Sequence, residues 1–268
     1  MTRPPSAVET AVATCVFAVC RGDARPPLDG LPGHRDAVGR VRLVAAGPLA
    51  AVVQDLPAAD YAEAALRDRL GDRAFVERCA TDHHRVVAAV AGACPVVPLP
   101  LATLYQGEER ARQAVAREAP RFLAALDRVA GRAEWGVKVL STGAARPAEE
   151  PTGAPLTGRA YLDRIRGLQQ DREERRNAAA EAAERVDAAL RPIAAAARRL
   201  RPHEPAPGQP HRQLLNATYL VDHDRAGELA AAVAALRADP DLADRVTVEL
   251  TGPWAPYSFA GLDEGGER

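Results

Sequence analysis

The longest periodic pattern in the chain runs from Arg159 to Leu200, and it constrains the fold more than any other feature. Only Arg172 and Arg175 interrupt a seam of apolar residues spaced by four and three, namely Tyr161, Ile165, Leu168, Ala179, Ala182, Val186, Ala189, Ile193, Ala196 and Leu200. Six heptads of this kind predict a long helix with a coiled-coil-like stripe. Because Pro192 has no backbone N–H to donate, we expect it to kink or divide this helix.

The segments before this helix predict one domain over residues 1–141. Runs of β-branched and apolar residues predict strands, and amphipathic stretches predict helices. In chain order these are a strand at Thr10–Cys20, two strands within Val41–Asp55 that turn at Gly47-Pro48, a helix from about residue 59 to Ala93, an edge strand from Pro95, a helix from about Glu108 to Val129, and a strand at Glu134–Ser141. This order indicates an antiparallel sheet with helices on one face, close to a ferredoxin-like arrangement.

The composition of residues 142–158, rich in proline, glycine and alanine, predicts a linker to the helical segment 159–201. We interpret the charged run Gln169–Asn177 within that segment as a solvated helical face or a hairpin turn. After a second proline-rich break, residues 202–268 read as strand, helix and strand, followed by an aromatic tail. The predicted fold is therefore α+β, with two ferredoxin-like antiparallel-sheet domains joined by a long helical, coiled-coil-like segment.

Charge and hydropathy exclude several classes of function. With 35 basic and 36 acidic residues the net charge is −1, so no global field attracts nucleic acid or an anionic membrane. No apolar run is long enough for a transmembrane helix, and the first residues lack the apolar core of a signal peptide. We therefore expect a cytoplasmic protein that contacts neither nucleic acid nor membrane.

The four cysteines form no CxxC pair, and we expect them to be reduced thiols. Cys15 and Cys20 are five residues apart on one predicted strand, which places them on opposite faces of the sheet. They are therefore predicted to be neither a redox pair nor part of a zinc site.

The best candidates for catalysis are His83 and His84. Adjacent residues on a helix point about 100° apart, so these two cannot chelate one metal ion together. We prefer a structural histidine beneath the sheet beside a surface histidine. The alternative is a small-molecule-binding or enzymatic protein that uses the sheet face near them. No nucleophile, phosphate-binding or metal-binding motif occurs, so we predict no catalytic, cofactor-binding or metal-binding residue and no cofactor.

The tail concentrates aromatic residues in a chain that has four Phe, five Tyr and two Trp. Trp254, Tyr257 and Phe259 lie between and after two prolines that stiffen an extended backbone. In the interpretation we prefer, the tail crosses the sheet and its rings fill a core that is rich in alanine. In the other, these three residues are anchors for a binding partner, because such rings dominate binding hot spots.

The tail sequence LTGPWAPYSF resembles the closing signature of the gas vesicle protein L/F family (GvpL/GvpF). Four further segments fall in the order expected for that family: HHRVVAAVAGACPVVPLPLATLY, EWGVKVL, GRAYLDRIR and NATYLVD. Two positions depart from the family pattern. The run Pro98–Thr103 lacks an arginine that the family usually has, and Ala255 stands where a second proline is common.

The resemblance implies a non-enzymatic accessory protein of gas vesicle assembly. Such a protein would bind the hydrophobic major shell protein and other gas vesicle accessory proteins, as a chaperone-like or nucleation factor in the cytoplasm and on the vesicle. This is physically reasonable, because a shell protein with an apolar surface aggregates unless a partner covers that surface before it polymerises.

Overall fold

The computed structural model describes residues 12–59, 63–142, 158–202 and 211–261. The chain forms two compact units: the first combines Met1–Arg132 with Trp254–Arg268, and the second is Ala133–Pro253. This division differs from the predicted boundaries. The strand predicted to end the first domain belongs to the second unit, and the aromatic tail belongs to the first. The predicted linker, 142–158, lies almost wholly outside the described residues.

The first unit is built on an antiparallel sheet with the strand order β2-β3-β1-β4, in which a short fifth strand also pairs with β1. Its strands are β1 (Val12–Arg21), β2 (Arg42–Ala46), β3 (Leu49–Pro57), β4 (Val96–Pro98) and β5 (Leu104–Tyr105). Gly47 has a φ of 65° in the tight turn between β2 and β3, a conformation that favours glycine. The strands predicted for this part of the sequence are confirmed.

Each long helix predicted in the first unit is in fact a pair of helices. The four are α1 (Glu63–Leu70), α2 (Arg73–Ala91), α3 (Glu108–Arg117) and α4 (Ala119–Val129). The side chain of Asp72 accepts a hydrogen bond from the backbone N–H of Ala74 at 2.9 Å and so begins α2 with an N-cap. Pro120 lies in the first turn of α4, where a missing N–H costs no helical hydrogen bond.

Helices cover both faces of this sheet, so the expectation of helices on one face is wrong. One face packs against α3 and α4, and the other against Val86, Val87 and Val90 of α2. The register of β1 on β3 shifts between Val16 and Ala18, which makes Phe17 the extra residue of a β-bulge. Because of this extra residue, the side chains of Cys15 and Cys20 lie on the same face of the sheet. The prediction that these cysteines face opposite sides is therefore also wrong.

The second unit has one core beneath a sheet of strand order β7-β8-β6-β9. Its elements are β6 (Arg132–Ser141), α5 (Gly158–Leu190), β7 (Ala196–Arg199), β8 (Gln213–Asp222), α6 (Ala226–Ala238), α7 (Pro240–Ala243) and β9 (Val246–Trp254). The core consists mainly of alanine, valine and leucine side chains, with Tyr219 as its largest fully buried member.

The long helix α5 ends at Leu190, two residues before Pro192, so the predicted helix to residue 201 is too long. A 3-10 turn follows, and Ala196–Arg199 then pair antiparallel with β8. Alanine and arginine favour helices, but here the backbone N–H and C=O groups of these residues form hydrogen bonds with β8. The charged run Gln169–Asn177 is helical and exposed, which confirms the solvated-face interpretation against the hairpin.

A candidate partner-binding surface on the first unit

The last described segment, Trp254–Gly261, is fixed to the first unit, and we refer to it as the strap. Ala255 packs into the cluster on the α2 side of the sheet, and Ala260 packs into the cluster on the α3 and α4 side. Two arginines of α4 donate hydrogen bonds to strap carbonyls. Arg121 reaches the Gly261 oxygen at 2.6 and 3.1 Å, and Arg128 reaches the Phe259 oxygen at 3.3 Å. The strap therefore has a defined position on α4.

The three aromatic residues singled out in the sequence have two different environments. Phe259 is only 7% exposed and contributes to packing, as the preferred interpretation of the tail expects. Trp254 and Tyr257 are 44% and 36% exposed, so their rings do not fill the core. One core ring, Phe259, and one surface ring, Tyr257, therefore lie in the same 3-10 turn, and the other surface ring, Trp254, lies before it.

His84 of α2 lies against both surface rings. Its ring centroid is 5.3 Å from that of Trp254 in an edge-on arrangement, and 6.5 Å from that of Tyr257. An edge-to-face contact at the His84–Trp254 separation is favourable for aromatic rings, and the His84 and Tyr257 rings are tilted by 31°. His84, Trp254 and Tyr257 form what we call the aromatic patch, a surface whose shape is set before any partner arrives.

His83 lies in a different environment from its neighbour, as their positions on a helix require. It is 3% exposed, its Nε2 donates to the Leu99 carbonyl oxygen at 3.1 Å, and its ring lies 5.3 Å from that of Phe17. His34 stacks on Phe17 at 5.2 Å. Burial lowers the pKa of His83 to about 4 and also lowers the pKa of His34. Both histidines are therefore neutral core residues near pH 7.

The hydrogen bond from His83 fixes the tautomer of its ring. Its Nε2 carries the hydrogen because a carbonyl only accepts, which leaves Nδ1 as an acceptor with no partner among the described residues. That nitrogen is buried. Within the described ranges, no group of three or more His, Cys, Asp or Glu side chains is placed to hold a metal ion.

The second unit contains an ionic cluster around a buried carboxylate, which the sequence did not predict. The carboxylate of Asp187, which is 1% exposed, accepts hydrogen bonds from Tyr219 Oη at 2.5 Å, Arg191 Nε at 2.8 Å and Arg199 Nε at 3.0 Å. Burial alone raises the pKa of Asp187, but these donors hold it below its ordinary value. The cluster joins α5 to β7 and β8, so its role is structural.

No helix in the part of the chain that the structure describes combines the length and the apolar character needed to cross a membrane. The fold and the aromatic patch together define a two-unit protein of mixed helices and antiparallel sheets that presents fixed aromatic side chains on its first unit. The sequence model of the family described as gas vesicle synthesis protein GvpL/GvpF matches residues 13–261, and the chain belongs to this family.

Similar proteins agree with this assignment. Gas vesicle protein L of Streptomyces sp. (strain CB03234) is 37% identical over 257 residues, which cover 93% of each chain. Gas vesicle protein F of Haloferax mediterranei is 37% identical over 57 residues, or 21% of this chain and 26% of that protein. The crystal structure of GvpF from Anabaena sp. PCC7120 matches with a TM-score of 0.67 at 14% identity, and covers 96% of this chain and 100% of its own.

A second crystal structure, GvpF from Microcystis aeruginosa, matches with a TM-score of 0.62 at 19% identity and covers 94% of this chain and 100% of its own. At these identities the two structures show a common fold. Membership in the family supports a role in gas vesicle assembly.

Proposed function

We propose that this protein is a non-enzymatic accessory factor that binds the hydrophobic major shell protein before or during gas vesicle assembly. It acts as a chaperone-like or nucleation factor in the cytoplasm, associates with the vesicle, and also contacts other gas vesicle accessory proteins. Within the first unit, Trp254 and Tyr257 are the contact residues, while Phe259 supports them from the core. The observation that carries this proposal is the exposure of two aromatic rings on a strap that other residues fix in place.

The chemistry of the aromatic patch suits an apolar partner. Tryptophan and tyrosine dominate binding hot spots because they bury a large area and lose little side-chain entropy. The hydrogen bonds from Arg121 and Arg128 already order the strap, so docking costs little backbone entropy. A shell protein that exposes apolar surface before polymerisation offers the complementary surface.

We also interpret both sheets as ferredoxin-like. The second unit has the element order β-α-β-β-α-β with the strand order β7-β8-β6-β9, and the first unit has the corresponding strand order with a loop in place of the first helix. We interpret α5 as coiled-coil-like over its exposed N-terminal half, which includes the half-buried Ile165 and Leu168.

Co-purification with the major shell protein tests the proposal. We expect the wild-type chain to capture the shell protein, and we expect the double variant Trp254→Ala/Tyr257→Ala to lose about tenfold or more in affinity, since each hot-spot truncation costs about 1–2 kcal/mol or more. Leu70→Ala is the matched control, because Leu70 is also a large exposed apolar residue of the first unit. Capture that is equally strong in the double variant and in wild type would overturn the assignment of the contact residues.

A strain that lacks the chain distinguishes an error in the contact residues from an error in the proposed function. If wild-type protein captures no shell protein, and a strain lacking the chain still makes normal vesicles, the accessory role itself is wrong. If capture occurs but ignores both rings, the role stands and the contact lies elsewhere on the protein.

A further inference from the structure

Two cysteines of the first unit meet on the α2 side of the sheet. Cys20 lies near the end of β1 opposite Val96 of β4, and Cys94 is two residues before Val96. Cys94 packs on the same side of the sheet, so the two side chains are diagonal neighbours, and the shifts in both pKa values reflect contact between their thiols. The bulge at Phe17 makes this contact possible, because without the extra residue Cys20 would face the α3 and α4 side.

Each sulfur is also oriented by a backbone group of its own. Cys20 Sγ donates to the Ala50 carbonyl oxygen of β3 at 3.6 Å, and Cys94 Sγ donates to the Val90 carbonyl oxygen of α2 at 3.7 Å. The backbone N–H of Cys94 donates to the same Val90 oxygen at 3.0 Å. The two thiols are therefore positioned by separate elements, β3 for Cys20 and α2 for Cys94.

The two thiols differ in exposure and in acidity. Cys20 is fully buried, whereas Cys94 is half-buried and reaches solvent. When Cys94 ionises, the Cys20 S–H can donate to its sulfur in place of the Ala50 oxygen; this interaction lowers the pKa of Cys94, although burial opposes the effect. The same contact, together with burial, raises the pKa of Cys20. Cys94 is thus the more exposed and the more acidic of the two thiols and the one that a dissolved oxidant reaches, and Cys20 is its buried neighbour.

We propose that Cys94 and Cys20 form a redox-sensitive dithiol that a hydroperoxide converts into an intramolecular disulfide. In the first step the Cys94 thiolate attacks one peroxide oxygen, the O–O bond breaks, and Cys94 becomes a sulfenic acid while the other oxygen leaves as water after taking a proton. In the second step the Cys20 sulfur attacks Cys94 Sγ, the S–O bond breaks, and the Cys20 proton leaves with the hydroxide as water. Two thiols and one hydrogen peroxide give one disulfide and two waters.

The new bond would link β1 to the junction between α2 and β4. Cys94 packs against the cluster that also contains Ala255 of the strap. Oxidation therefore cross-links the core on the α2 side of the sheet. This effect does not depend on which partner the aromatic patch binds, so the dithiol can be tested without the shell protein.

Mass spectrometry of the full-length protein tests the proposal directly. After treatment with a small molar excess of hydrogen peroxide, we expect the intact mass to fall by two hydrogens, and non-reducing peptide mapping to link the Cys20 peptide to the Cys94 peptide. A reductant should restore the original mass. A disulfide between other cysteines, sulfinic acid at Cys94 without a disulfide, or no change in mass would each overturn the proposal.

Variants assign the two roles. Cys94→Ser should abolish both the disulfide and trapping of a sulfenic acid by dimedone, whereas Cys20→Ala should abolish the disulfide and leave Cys94 as a trappable sulfenic acid. Cys79→Ser is the matched control, because Cys79 is a half-buried cysteine on the neighbouring α2, and this variant should form the disulfide as wild type does. Dimedone labelling of Cys20 in Cys94→Ser would reverse the assignment of the attacking thiol. The wild-type measurement stands even if Cys20→Ala folds poorly.

Discussion

Acidification should destabilise the first unit through His83, and the size of the effect follows from its burial. The ring is 3% exposed, and its pKa is lowered from 6.5 to about 4, first by burial and then by the nearby His34. A folded-state pKa below the unfolded value means that the unfolded chain binds more protons between these two values. The stabilisation by neutral His83 is therefore fully present above pH 6.5, is lost as the pH falls, and levels off below about pH 4.

The magnitude is a substantial fraction of the unfolding free energy of a typical domain, which is about 5–15 kcal/mol. Each pKa unit corresponds to about 1.4 kcal/mol, so the complete titration of His83 removes about 3 kcal/mol. About 2 kcal/mol of this falls between pH 7 and pH 5, before the carboxylates with ordinary pKa values are protonated. His34 acts in the same direction, because burial also lowers its pKa. This pH window therefore isolates the two buried histidines.

Urea unfolding monitored by circular dichroism at pH 7, 6 and 5, with constant ionic strength, measures the effect. We expect His83→Gln to flatten the dependence of the unfolding free energy on pH by about 2 kcal/mol across this window, since glutamine does not titrate but still offers a donor to the Leu99 oxygen. His84→Gln is the matched control and should leave the dependence in place. A His83→Gln variant that keeps the full wild-type dependence would refute the reasoning.

Two further predictions concern stability measured by urea unfolding at pH 7. Phe259→Ala should lower the unfolding free energy by about 3–5 kcal/mol, because the ring is buried. Trp254→Ala should lower it by about 1 kcal/mol, because nearly half of the surface of that residue is exposed. Equal losses would contradict the division between core and surface rings. Asp187→Ala should cost about 1–3 kcal/mol, because it leaves the buried Tyr219 Oη without its acceptor, whereas the half-exposed Arg191 and Arg199 can turn to water. Glu228→Ala breaks only an exposed pair with Arg225 and should leave stability unchanged, so similar losses in the two variants would contradict the buried-cluster argument.

The strands were predictable because their sequences carry the necessary information locally. The sequences of β1 and β8 combine β-branched residues with largely buried positions. The helix breaks near Gly71 and Pro120 also have local signals, an N-cap aspartate in one case and a first-turn proline in the other. Each of these features is set by residues that are close together in the sequence, so the sequence alone carries the signal.

Features that depend on distant residues were not predictable. Nothing in the sequence around Phe17 marks a bulge, yet the bulge decides which face Cys20 occupies. The alanines and arginines of β7 favour a helix, and their extended conformation follows from pairing with β8. Asp187 is one of many acidic residues in a charged helix, and its role depends on Tyr219, which lies 32 residues further along the chain.

The strap shows how a family signature can combine packing and binding. Its attachment depends on the buried Ala255, Phe259 and Ala260 and on hydrogen bonds from α4 to its carbonyl oxygens. Those carbonyls would be available whatever side chains stood at the exposed positions, so the position of the strap does not explain why Trp254 and Tyr257 are aromatic. Exposed rings of this size are costly to solubility, and under the function proposed above they are retained for contact with an apolar partner. If that proposal holds, the composition of the tail reflects two separate demands, one from the fold at Phe259 and one from binding at Trp254 and Tyr257.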